Sequence, residues 1–250
     1  IYHPIMAGFQ NLGVAKWLDE ALAAMKIITP TAIQEASIPK ILQGHDFIGG
    51  AKTGSGKTVA FGAPILTKWS EDPCGIFGLI LTPTRELAMQ IAEQFSALGA
   101  SMNIKVSIIV CGEDIVKQAL TLQRRPHFVI ATPGRLADHI MNSGEDTIRG
   151  LRRVKYLVLD EADRLLSDSF QKDMKRCYDI LPTNRQTLVF TATVDDNVRN
   201  LREELGANNK PEVIVHEIEN IDNVAIPKTL DISYVFIPMH VKESYLHSIV

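Results

Sequence analysis

The chain has 250 residues, of which 46% are hydrophobic and 22% charged, and its formal net charge is −3. This length suits one large α/β domain, or one domain with part of another, and no apolar run approaches the roughly 18 residues of a membrane-spanning helix, so we expect no membrane partner. The three cysteines, Cys74, Cys111 and Cys177, stand far apart, which argues against a disulfide framework or a structural zinc site and favours a reducing intracellular compartment.

Apolar segments of strand length alternate with amphipathic segments of helix length along the chain. Most of the strand segments lack polar alternation, as expected for strands that are covered on both faces. The pattern predicts an α/β fold with a parallel sheet flanked by helices. The predicted strands cover residues 46–50, 79–82, 106–111, 128–132, 156–160, 187–191 and 213–215. The predicted helices include residues 15–25, 31–42, 58–68, 85–100, 134–141 and 195–205.

An eight-residue segment between a predicted strand and a predicted helix, from Ala51 to Thr58, reads Ala-Lys-Thr-Gly-Ser-Gly-Lys-Thr. In that context backbone N–H groups and a helix N-terminus cradle phosphates, Lys57 reaches the β- and γ-phosphates, and the Thr58 hydroxyl ligates Mg²⁺. Gly54 and Gly56 permit close backbone approach, whereas Ala51 replaces the glycine of the strict pattern. The alternative is a Gly/Ser-rich surface loop with an incidental lysine. The strand–loop–helix order favours a nucleotide-binding segment made of Ala51, Lys52, Thr53, Gly54, Ser55, Gly56, Lys57 and Thr58.

A second segment, from Tyr156 to Asp163, reads Tyr-Leu-Val-Leu-Asp-Glu-Ala-Asp. Its apolar residues predict a buried strand that delivers Asp160 to the carboxyl edge of the sheet, where open α/β folds bind ligands. There Asp160 can hold the shell of a Mg²⁺ ion through water, and Glu161 can orient and polarise the attacking water. The alternative is an acidic helix start favoured by the helix dipole. The phosphate-binding segment upstream favours an ATPase in which Lys57, Asp160 and Glu161 are catalytic.

Three further segments complete the pattern: Pro-Thr-Arg-Glu-Leu-Ala from Pro83, Thr-Pro-Gly-Arg from Thr132, and Thr-Ala-Thr from Thr191. In their chain order, the five segments resemble the motifs of the DEAD-box RNA helicases over nearly the whole chain. The Asp-Glu-Ala-Asp spelling distinguishes that family from its DEAH-type relatives. The resemblance implies a RecA-like fold, ATP and Mg²⁺ as cofactors, RNA as a partner, and RNA-stimulated ATP hydrolysis coupled to local unwinding of RNA duplexes.

The resemblance also assigns residues to the nucleotide base and to the coupling between sites. Phe9 is expected to stack on adenine, and Thr29 and Gln34 belong to the segment that reads it, since an amide can both donate to and accept from a base. The residues expected to couple ATP hydrolysis to RNA are Asp163, Thr191 and Thr193. Where the family usually has serine this chain has Thr191, which keeps the hydroxyl, so a hydrogen bond between Thr191 and Asp163 is expected.

Arg85 and Arg135 each follow a predicted strand and begin a predicted helix, where the side chain and the helix N-terminus can jointly hold a phosphate. The resemblance implies that they grip the backbone of single-stranded or short duplex RNA, which predicts weak sequence preference and salt-sensitive binding. The alternative is an exposed arginine paired with a neighbour such as Glu86. Where the family often has Gly-Gly this chain has Cys111-Gly112, and Cys111 can crowd the backbone near RNA. The residues expected to contact RNA are Pro83, Thr84, Arg85, Gly112, Thr132, Pro133, Gly134 and Arg135.

The composition changes after about Lys210, where the chain becomes polar and acidic, and a strand-like and a helix-like segment follow from about Thr229. We therefore predict a RecA-like domain over residues 1–228, with the adenine segment over 9–34, and the linker end and first βα unit of a truncated second RecA-like domain over 229–250. The resemblance implies that ATP lies between two such domains and that the second supplies arginines that act on the γ-phosphate. A chain without those arginines is expected to bind nucleotide modestly, if at all, and to be nearly inactive alone. The resemblance also implies a monomer.

Four segments outside the general helicase motifs are similar to a fungal nucleolar DEAD-box protein of small ribosomal subunit assembly; they cover residues 16–18, 66–73, 97–104 and 222–227. This similarity implies a function in ribosome biogenesis and rRNA processing, localisation in the nucleus and nucleolus, and pre-ribosomal particles and a protein activator as partners.

Other functions stay open beside an RNA helicase. An ATP-gated RNA clamp, or an RNP-assembly factor without processive unwinding, would use the same motifs. A DNA-translocating relative is disfavoured by the Asp-Glu-Ala-Asp spelling and the adenine segment, and a catalytically silent scaffold by the intact Lys57, Thr58, Asp160 and Glu161. A GTPase is disfavoured because the sequence has no Asn-Lys-x-Asp motif for guanine.

Overall fold

The computed structural model describes residues 8–52, 54–193, 198, 200–201, 213–217, 236–238, 241 and 245. The chain divides into two compact units, residues 1–219 and residues 220–250, and nearly all described residues belong to the first. The domain boundary predicted near residue 228 and most of the helix predicted over 195–205 lie outside the described residues. None of the helices in the described part is both long and apolar enough to cross a membrane.

The described strands form one seven-stranded sheet in which every neighbouring pair is parallel, in the order β3-β4-β2-β5-β6-β1-β7. They are β1 (Phe47–Gly50), β2 (Gly78–Leu81), β3 (Val106–Ile109), β4 (Phe128–Ala131), β5 (Tyr156–Asp160), β6 (Gln186–Thr191) and β7 (Ile214–Glu217). Each overlaps one predicted strand. The predicted parallel α/β sheet is therefore confirmed.

Nine α-helices lie in the described part of the chain: α1 (Lys16–Ala24), α2 (Ala32–Leu42), α3 (Lys57–Glu71), α4 (Arg85–Leu98), α5 (Ile115–Gln123), α6 (Pro133–Asn142), α7 (Glu145–Ile148), α8 (Ala162–Leu165) and α9 (Gln171–Ile180). Short 3₁₀ segments cover Phe9–Leu12, Ala100–Met102 and Arg149–Arg153. Five of the predicted helices match α1, α2, α3, α4 and α6 within a few residues, whereas α5, α7, α8 and α9 were not among the predicted helices.

The core consists of two apolar clusters, and the alternation of side chains along the strands separates them. On β5, Val158 belongs to one cluster, whereas Leu157 and Leu159 belong to the other. The first cluster is rich in aromatic rings, with Phe61 and Phe190 packed at 5.3 Å between ring centroids. Because successive strand residues point to opposite faces, both faces of the central strands are covered, which is why these strands read as continuous apolar runs.

The parallel arrangement brings the carboxyl ends of the strands to one edge of the sheet. Each of the five motif segments begins at or directly after such an end: 51–58 after β1, 83–88 near the end of β2, 132–135 after β4, 160–163 at the end of β5 and 191–193 at the end of β6. Segments that lie far apart in the sequence are thereby collected on one edge of the molecule.

Candidate functional site

The phosphate-binding loop joins β1 to α3, and two of its glycines adopt left-handed backbone conformations. The angle φ is +80° at Gly54 and +88° at Gly56, a region that favours glycine because it has no Cβ. A Cβ atom on Gly56 would also collide with the amide nitrogen of Gln34. Ala51 is buried, and its N–H donates to the Thr191 carbonyl at 2.9 Å. The loop start is therefore fixed to the end of β6, and both glycines lie where only glycine is unstrained.

The other loop residues leave polar groups available. Lys52 is exposed, and its carbonyl accepts a hydrogen bond from the Ser55 N–H at 3.2 Å. The Ser55 hydroxyl is buried, and no described residue bonds to it. Thr58 is half-buried in the first turn of α3, while Thr53 lies outside the described residues. A buried hydroxyl without a protein partner is uncommon, and here it belongs to the loop predicted to hold phosphates.

Gln34 ties α2 to the phosphate-binding loop. Its Oε1 accepts a hydrogen bond from the Thr31 N–H at 2.9 Å, and its Nε2 donates to the Gly56 carbonyl at 3.0 Å. The Thr31 hydroxyl donates to the Ser55 carbonyl at 2.8 Å. Gln34 is 2% exposed, so both ends of its amide are bonded to protein in this conformation. Reading of adenine by Gln34 stays a prediction, and the two observed bonds leave one N–H and one oxygen lone pair of the amide for the base.

Phe9 lies in the core and not in the cleft. It begins the first 3₁₀ segment, is fully buried, and belongs to the same apolar cluster as Leu18 and Ile33. A ring that stacks on a ligand must present one face to it, whereas burial of a whole aromatic side chain contributes about 1.5–3 kcal/mol to folding. In this conformation the predicted stacking of Phe9 on adenine is not formed, and Phe9 acts as a core residue.

Lys57 and Asp160 face each other across the cleft. Lys57 Nζ lies 4.0 Å from Asp160 Oδ1, and the two side chains are 10% and 4% exposed. Burial raises the pKa of Asp160 to about 6, while Lys57 and the hydrogen bond from the Glu161 N–H at 3.1 Å oppose that rise. The structure thus brings the predicted phosphate ligand of the loop and the predicted metal ligand of β5 into one charge pair.

Glu161 occupies a strained position next to Asp160. Its φ is +54°, and it precedes the first residue of α8; a left-handed conformation at a residue with a Cβ is uncommon and concentrates at functional sites. The Glu161 Oε2 accepts a hydrogen bond from Arg164 Nη1 at 2.7 Å. The predicted water-orienting carboxylate is therefore paired with an arginine of α8 in this conformation.

A cleft of about 520 Å³ collects most of the predicted nucleotide residues. Its lining includes the predicted segments and their neighbours, Thr29, Thr31, Gln34, Gly54, Gly56, Lys57, Thr58, Asp160 and Glu161. The rest of its lining was not predicted as part of a site: Met25, Ile27, Val59, Leu87, Gln90, Gln94 and Leu98. A larger cavity of about 660 Å³, lined by Lys155, Tyr156 and Gln186 among others, holds none of the predicted residues. The smaller cleft is the candidate nucleotide site because it carries the phosphate loop and both catalytic carboxylates.

The end of β5 is joined to the end of β6 by a hydrogen bond other than the predicted one. Thr193 Oγ1 donates to Asp163 Oδ2 at 3.2 Å, whereas the Thr191 hydroxyl donates to the Thr193 carbonyl at 2.6 Å. The expected bond between Thr191 and Asp163 is therefore replaced by one from Thr193, because the Thr191 hydroxyl closes a local turn within its own segment. Asp163 Oδ1 is buried without a partner among the described residues.

Arg85 and Arg135 converge on one loop, residues 110–113, which we call the arginine-binding loop. Arg85 Nη1 donates to the Cys111 carbonyl at 3.4 Å and its Nη2 to Glu113 Oε1 at 2.9 Å. Arg135 Nε donates to the Val110 carbonyl at 3.3 Å and its Nη2 to the Glu113 carbonyl at 2.8 Å. Both predicted RNA ligands are therefore held by the same four residues.

The geometry explains two features of the sequence around Arg85. The acidic partner of Arg85 is Glu113 and not its neighbour Glu86. Gly112 has φ +88°, and a Cβ atom on it would collide with Arg85 Nη1. Cys111 is exposed and contributes its carbonyl to the contact, so Gly112 is the residue of this pair that the approach of Arg85 requires.

The remaining residues predicted to contact RNA lie at the starts of α4 and α6. The Thr84 hydroxyl accepts a hydrogen bond from the Leu87 N–H at 3.3 Å and caps α4. Thr132 is the cap residue of α6, Pro133 is its first residue, a favoured place for proline, and Gly134 follows. Both helix starts present N–H groups at the sheet edge, as expected for phosphate contacts.

A buried polar network, which was not predicted from the sequence, lies behind the arginine-binding loop. Gln118 of α5 donates through Nε2 to the Val110 carbonyl at 2.8 Å, and its Oε1 lies 3.2 Å from His139 Nε2. His139 Nδ1 lies 2.7 Å from the Ser143 hydroxyl. Burial and the charge of Arg135 lower the pKa of His139, so the neutral ring donates to Gln118 and accepts from Ser143. No sequence signal marked these residues, because α5 itself was not predicted.

Comparison with known proteins identifies the family. A profile of the DEAD/DEAH box helicases matches residues 31–201, more than half of the chain. The chain belongs to the DEAD/DEAH box helicases. The family predicted from the five motif segments is confirmed, and the matched range contains every segment from the phosphate-binding loop to Thr193.

Several helicases are similar to this chain over almost its whole length. The ATP-dependent RNA helicase DBP8 of Candida albicans is 72% identical over 243 residues, which cover 96% of this chain and 55% of that protein. The ATP-dependent RNA helicase DBP8 of Saccharomyces cerevisiae is 63% identical over 246 residues, 98% of this chain and 57% of that protein. The chain thus spans about half the length of the curated relatives it matches.

A solved structure confirms the fold class. The crystal structure of a DEAD box protein from the hyperthermophile Methanococcus jannaschii has a TM-score of 0.74 and 32% sequence identity, and the match covers 83% of this chain and 55% of that chain. The seven-stranded parallel sheet flanked by helices is accordingly the RecA-like fold of a DEAD-box helicase.

Proposed function

We propose that the complete protein is an ATP-dependent RNA helicase, which hydrolyses ATP when RNA is bound and uses the cycle to separate short RNA duplexes locally. The observation that carries the proposal is the meeting of Lys57, Asp160 and Glu161 in one cleft, at the same sheet edge as Arg85 and Arg135. The names of the relatives DBP8, ATP-dependent RNA helicases, support the same activity for this chain.

The residues of the cleft fit a nucleotide with its magnesium ion. Asp160 is almost fully buried with Lys57 at 4.0 Å as its counter-charge, and the Ser55 hydroxyl and Asp163 Oδ1 are buried without partners among the described residues. Thr58 and Asp160 would hold Mg²⁺, the latter through water, and the ion would neutralise phosphate charge. Such a set of unused acceptors and donors is what a charged ligand of this kind satisfies.

Each catalytic side chain has a defined task in hydrolysis. Lys57 binds the terminal phosphates and stabilises the charge that develops on them. Glu161 orients the attacking water and accepts its proton. Arg164 bonds to one carboxylate oxygen of Glu161, Oε2. Because a carboxylate accepts at both oxygens, this bond can orient the side chain while Oε1 accepts the proton.

RNA binding and hydrolysis are coupled through the sheet edge. Arg85 and Arg135 bind RNA phosphates through the backbone, which gives weak sequence preference and salt-dependent affinity. The Thr193–Asp163 hydrogen bond joins the end of β6 to the residue two places after Glu161. A displacement of β6 on RNA binding would therefore reach the catalytic segment through this bond and through the pairing of β6 with β5, in which Phe190 lies opposite Asp160.

The cellular role that we propose is ribosome biogenesis and rRNA processing in the nucleolus, on pre-ribosomal particles and with a protein activator. The support is the similarity of residues 16–18, 66–73, 97–104 and 222–227 to a fungal nucleolar DEAD-box protein of small-subunit assembly. The DBP8 proteins that are 63–72% identical to this chain are also from yeasts, which agrees with the similarity to a fungal protein.

The test is ATP turnover by the full-length protein with and without single-stranded RNA, in the wild type and in Glu161→Gln. We expect RNA to stimulate the wild type, and Glu161→Gln to bind ATP normally but to turn over about 10²–10⁴-fold more slowly, the usual contribution of a general base. Glu93→Gln, the same change on the exposed side of α4, should behave as the wild type. Turnover that does not respond to RNA would contradict the proposal.

A strand-displacement assay on a short RNA duplex then distinguishes a helicase from an ATP-gated RNA clamp. We expect ATP-dependent release of the shorter strand by the wild type and none by Glu161→Gln within the same time. RNA-stimulated turnover without strand release would assign the clamp function instead.

A further inference from the structure

The arginine-binding loop joins the two proposed RNA ligands through four hydrogen bonds, of which three end on backbone carbonyls. The fourth is different: Arg85 Nη2 donates to the carboxylate of Glu113 at 2.9 Å. Charge-assisted bonds of guanidinium to oxygen anions are the contacts that bind phosphate as well as carboxylate. The side chain of Glu113 therefore occupies a donor that an RNA phosphate would need.

No other structural task of the Glu113 side chain is found in the described part of the chain. The cap of α5 is its neighbour Asp114, whose Oδ1 accepts from the Val116 and Lys117 N–H groups at 2.8 and 3.2 Å. The Glu113 carboxylate bonds to Arg85 alone among the described residues. The Glu113 carboxylate can therefore separate from Arg85 without removing the cap of α5.

The pair is placed where it can open. The Arg85 and Glu113 side chains are 41% and 56% exposed, and exposed ion pairs are weak because water and salt screen them. Gly112, between Cys111 and Glu113, leaves room for the guanidinium against the loop. A phosphate can therefore displace the carboxylate, while the bond from Arg85 Nη1 to the Cys111 carbonyl stays in place.

We infer that Glu113 competes with RNA phosphate for Arg85 and thereby sets how tightly the protein holds RNA. The inference rests on the proposed RNA-binding function. When RNA binds, the phosphate displaces the carboxylate, and the free energy of the Arg85–Glu113 pair is lost from binding. When RNA leaves, the same carboxylate takes Arg85 back, so the loop favours release of RNA at the end of each cycle.

The first test is the affinity of the full-length protein for single-stranded RNA, measured by fluorescence anisotropy in the wild type and in Glu113→Gln. We expect the Kd for RNA to fall about threefold to tenfold. This range corresponds to the free energy of an exposed ion pair and to that of one unit charge near a phosphate in water. Glu93→Gln removes the same charge from α4 eight residues beyond Arg85, roughly 12 Å along the helix, and should change the affinity less than twofold.

The decisive test is a double-mutant cycle with Arg85→Gln. If Glu113 acts through Arg85, Arg85→Gln weakens RNA binding and the gain from Glu113→Gln disappears in that background. An equal gain in both backgrounds would mean general repulsion and would overturn the inference. The slope of log Kd against log salt gives an independent readout, since Glu113→Gln should steepen it by up to about 0.7, the value for one phosphate contact with single-stranded RNA.

The outcomes distinguish this inference from the proposed function. If Arg85→Gln weakens RNA binding and Glu113→Gln leaves it unchanged, only the competition is wrong. If neither RNA binding nor its dependence on Arg85 is found, the proposed RNA site itself fails. Affinity for a fluorescent ATP analogue should be unchanged in Glu113→Gln, because Glu113 is not among the residues that line the nucleotide cleft, and this shows that the variant is folded.

Discussion

Burial raises the pKa of Asp160 to about 6 from an ordinary value of 3.8, although Lys57 lies 4.0 Å away. At neutral pH the folded chain must therefore keep an ionised carboxylate that its surroundings disfavour. Such a group lowers the stability of the free protein. Under the proposed function, a bound cation would compensate this cost at Asp160.

We expect Asp160→Asn to raise the free energy of unfolding of the nucleotide-free chain at pH 7.5 by about 1–3 kcal/mol, since a difference of one pKa unit corresponds to 1.36 kcal/mol. The gain follows from the raised pKa of Asp160. Between about pH 4 and 6 the wild-type carboxylate takes up a proton on folding. The free-energy cost of burying the ionised carboxylate is therefore complete above pH 6 and decreases as the pH falls. Urea unfolding at pH 7.5 and pH 5 measures both effects.

Asp168→Asn serves as the control for this prediction, because Asp168 is exposed one turn beyond the same strand and helix. It should change stability by less than about 0.5 kcal/mol at either pH. Destabilisation by Asp160→Asn at pH 7.5 would show that the attraction to Lys57 outweighs the cost of burial.

At the scale of elements, α5 and α6 hold the arginine-binding loop from behind. The Val110 carbonyl accepts from Gln118 of α5 at 2.8 Å and from Arg135 of α6 at 3.3 Å. His139 lies four residues after Arg135, on the same side of α6, and bonds to Gln118. The two helices therefore share one polar contact, and that contact fixes the carbonyl against which an RNA ligand rests.

Gln118→Met should lower the free energy of unfolding by about 1–3 kcal/mol, because it leaves the buried Val110 carbonyl and His139 ring with fewer partners. It should also weaken RNA binding by the full-length protein a few-fold, since the loop loses a support. Gln171→Met makes the same change at the exposed first residue of α9 and should do neither. Unchanged stability in Gln118→Met would mean that water replaces the network.

The strands could be predicted from sequence, and the helices only in part, for a physical reason. The five inner strands, β1, β2, β4, β5 and β6, are short, mostly apolar runs that are buried along almost their whole length, a signal that is local to each run. Helix α9 buries only Met174 and Cys177 within a mostly polar sequence, and α5 has apolar Val116 and Leu120 exposed at 63% and 50%. In both, the buried face is set by neighbours distant in sequence, so periodicity gave no clear signal.

At the scale of the whole molecule, the parallel sheet brings the motif segments together at one edge. The motifs predict which residues belong to the site, but they do not predict the contacts between those residues. Lys57 and Asp160 were expected to meet, and they do. The Arg85–Glu113 pair spans 28 residues, and the burial of Phe9 depends on packing against other helices. Contacts of this kind depend on the positions of helices and strands in the tertiary structure, which local sequence patterns do not specify.

Ligand binding to this edge should stabilise the entire chain. A ligand that binds only the folded state adds about 2.7 kcal/mol at 100 times its Kd, which corresponds to a rise in Tm of about 5–10 °C for a domain of this size. We expect Mg–ATP to produce this rise in a thermal melt. Lys57→Ala should abolish it, whereas Lys40→Ala, an exposed lysine of α2, should leave it intact.

The same melt tests whether Gln34 reads adenine. In the present conformation its amide is bonded to Thr31 and Gly56 and keeps one N–H and one lone pair, which match a base edge with one acceptor and one donor, such as N7 and N6 of adenine. The corresponding edge of guanine, N7 and O6, offers two acceptors, so Mg–GTP should raise Tm less than Mg–ATP. Equal shifts for the two nucleotides would mean that Gln34 stays a tie between α2 and the phosphate-binding loop, and that selectivity for adenine lies elsewhere.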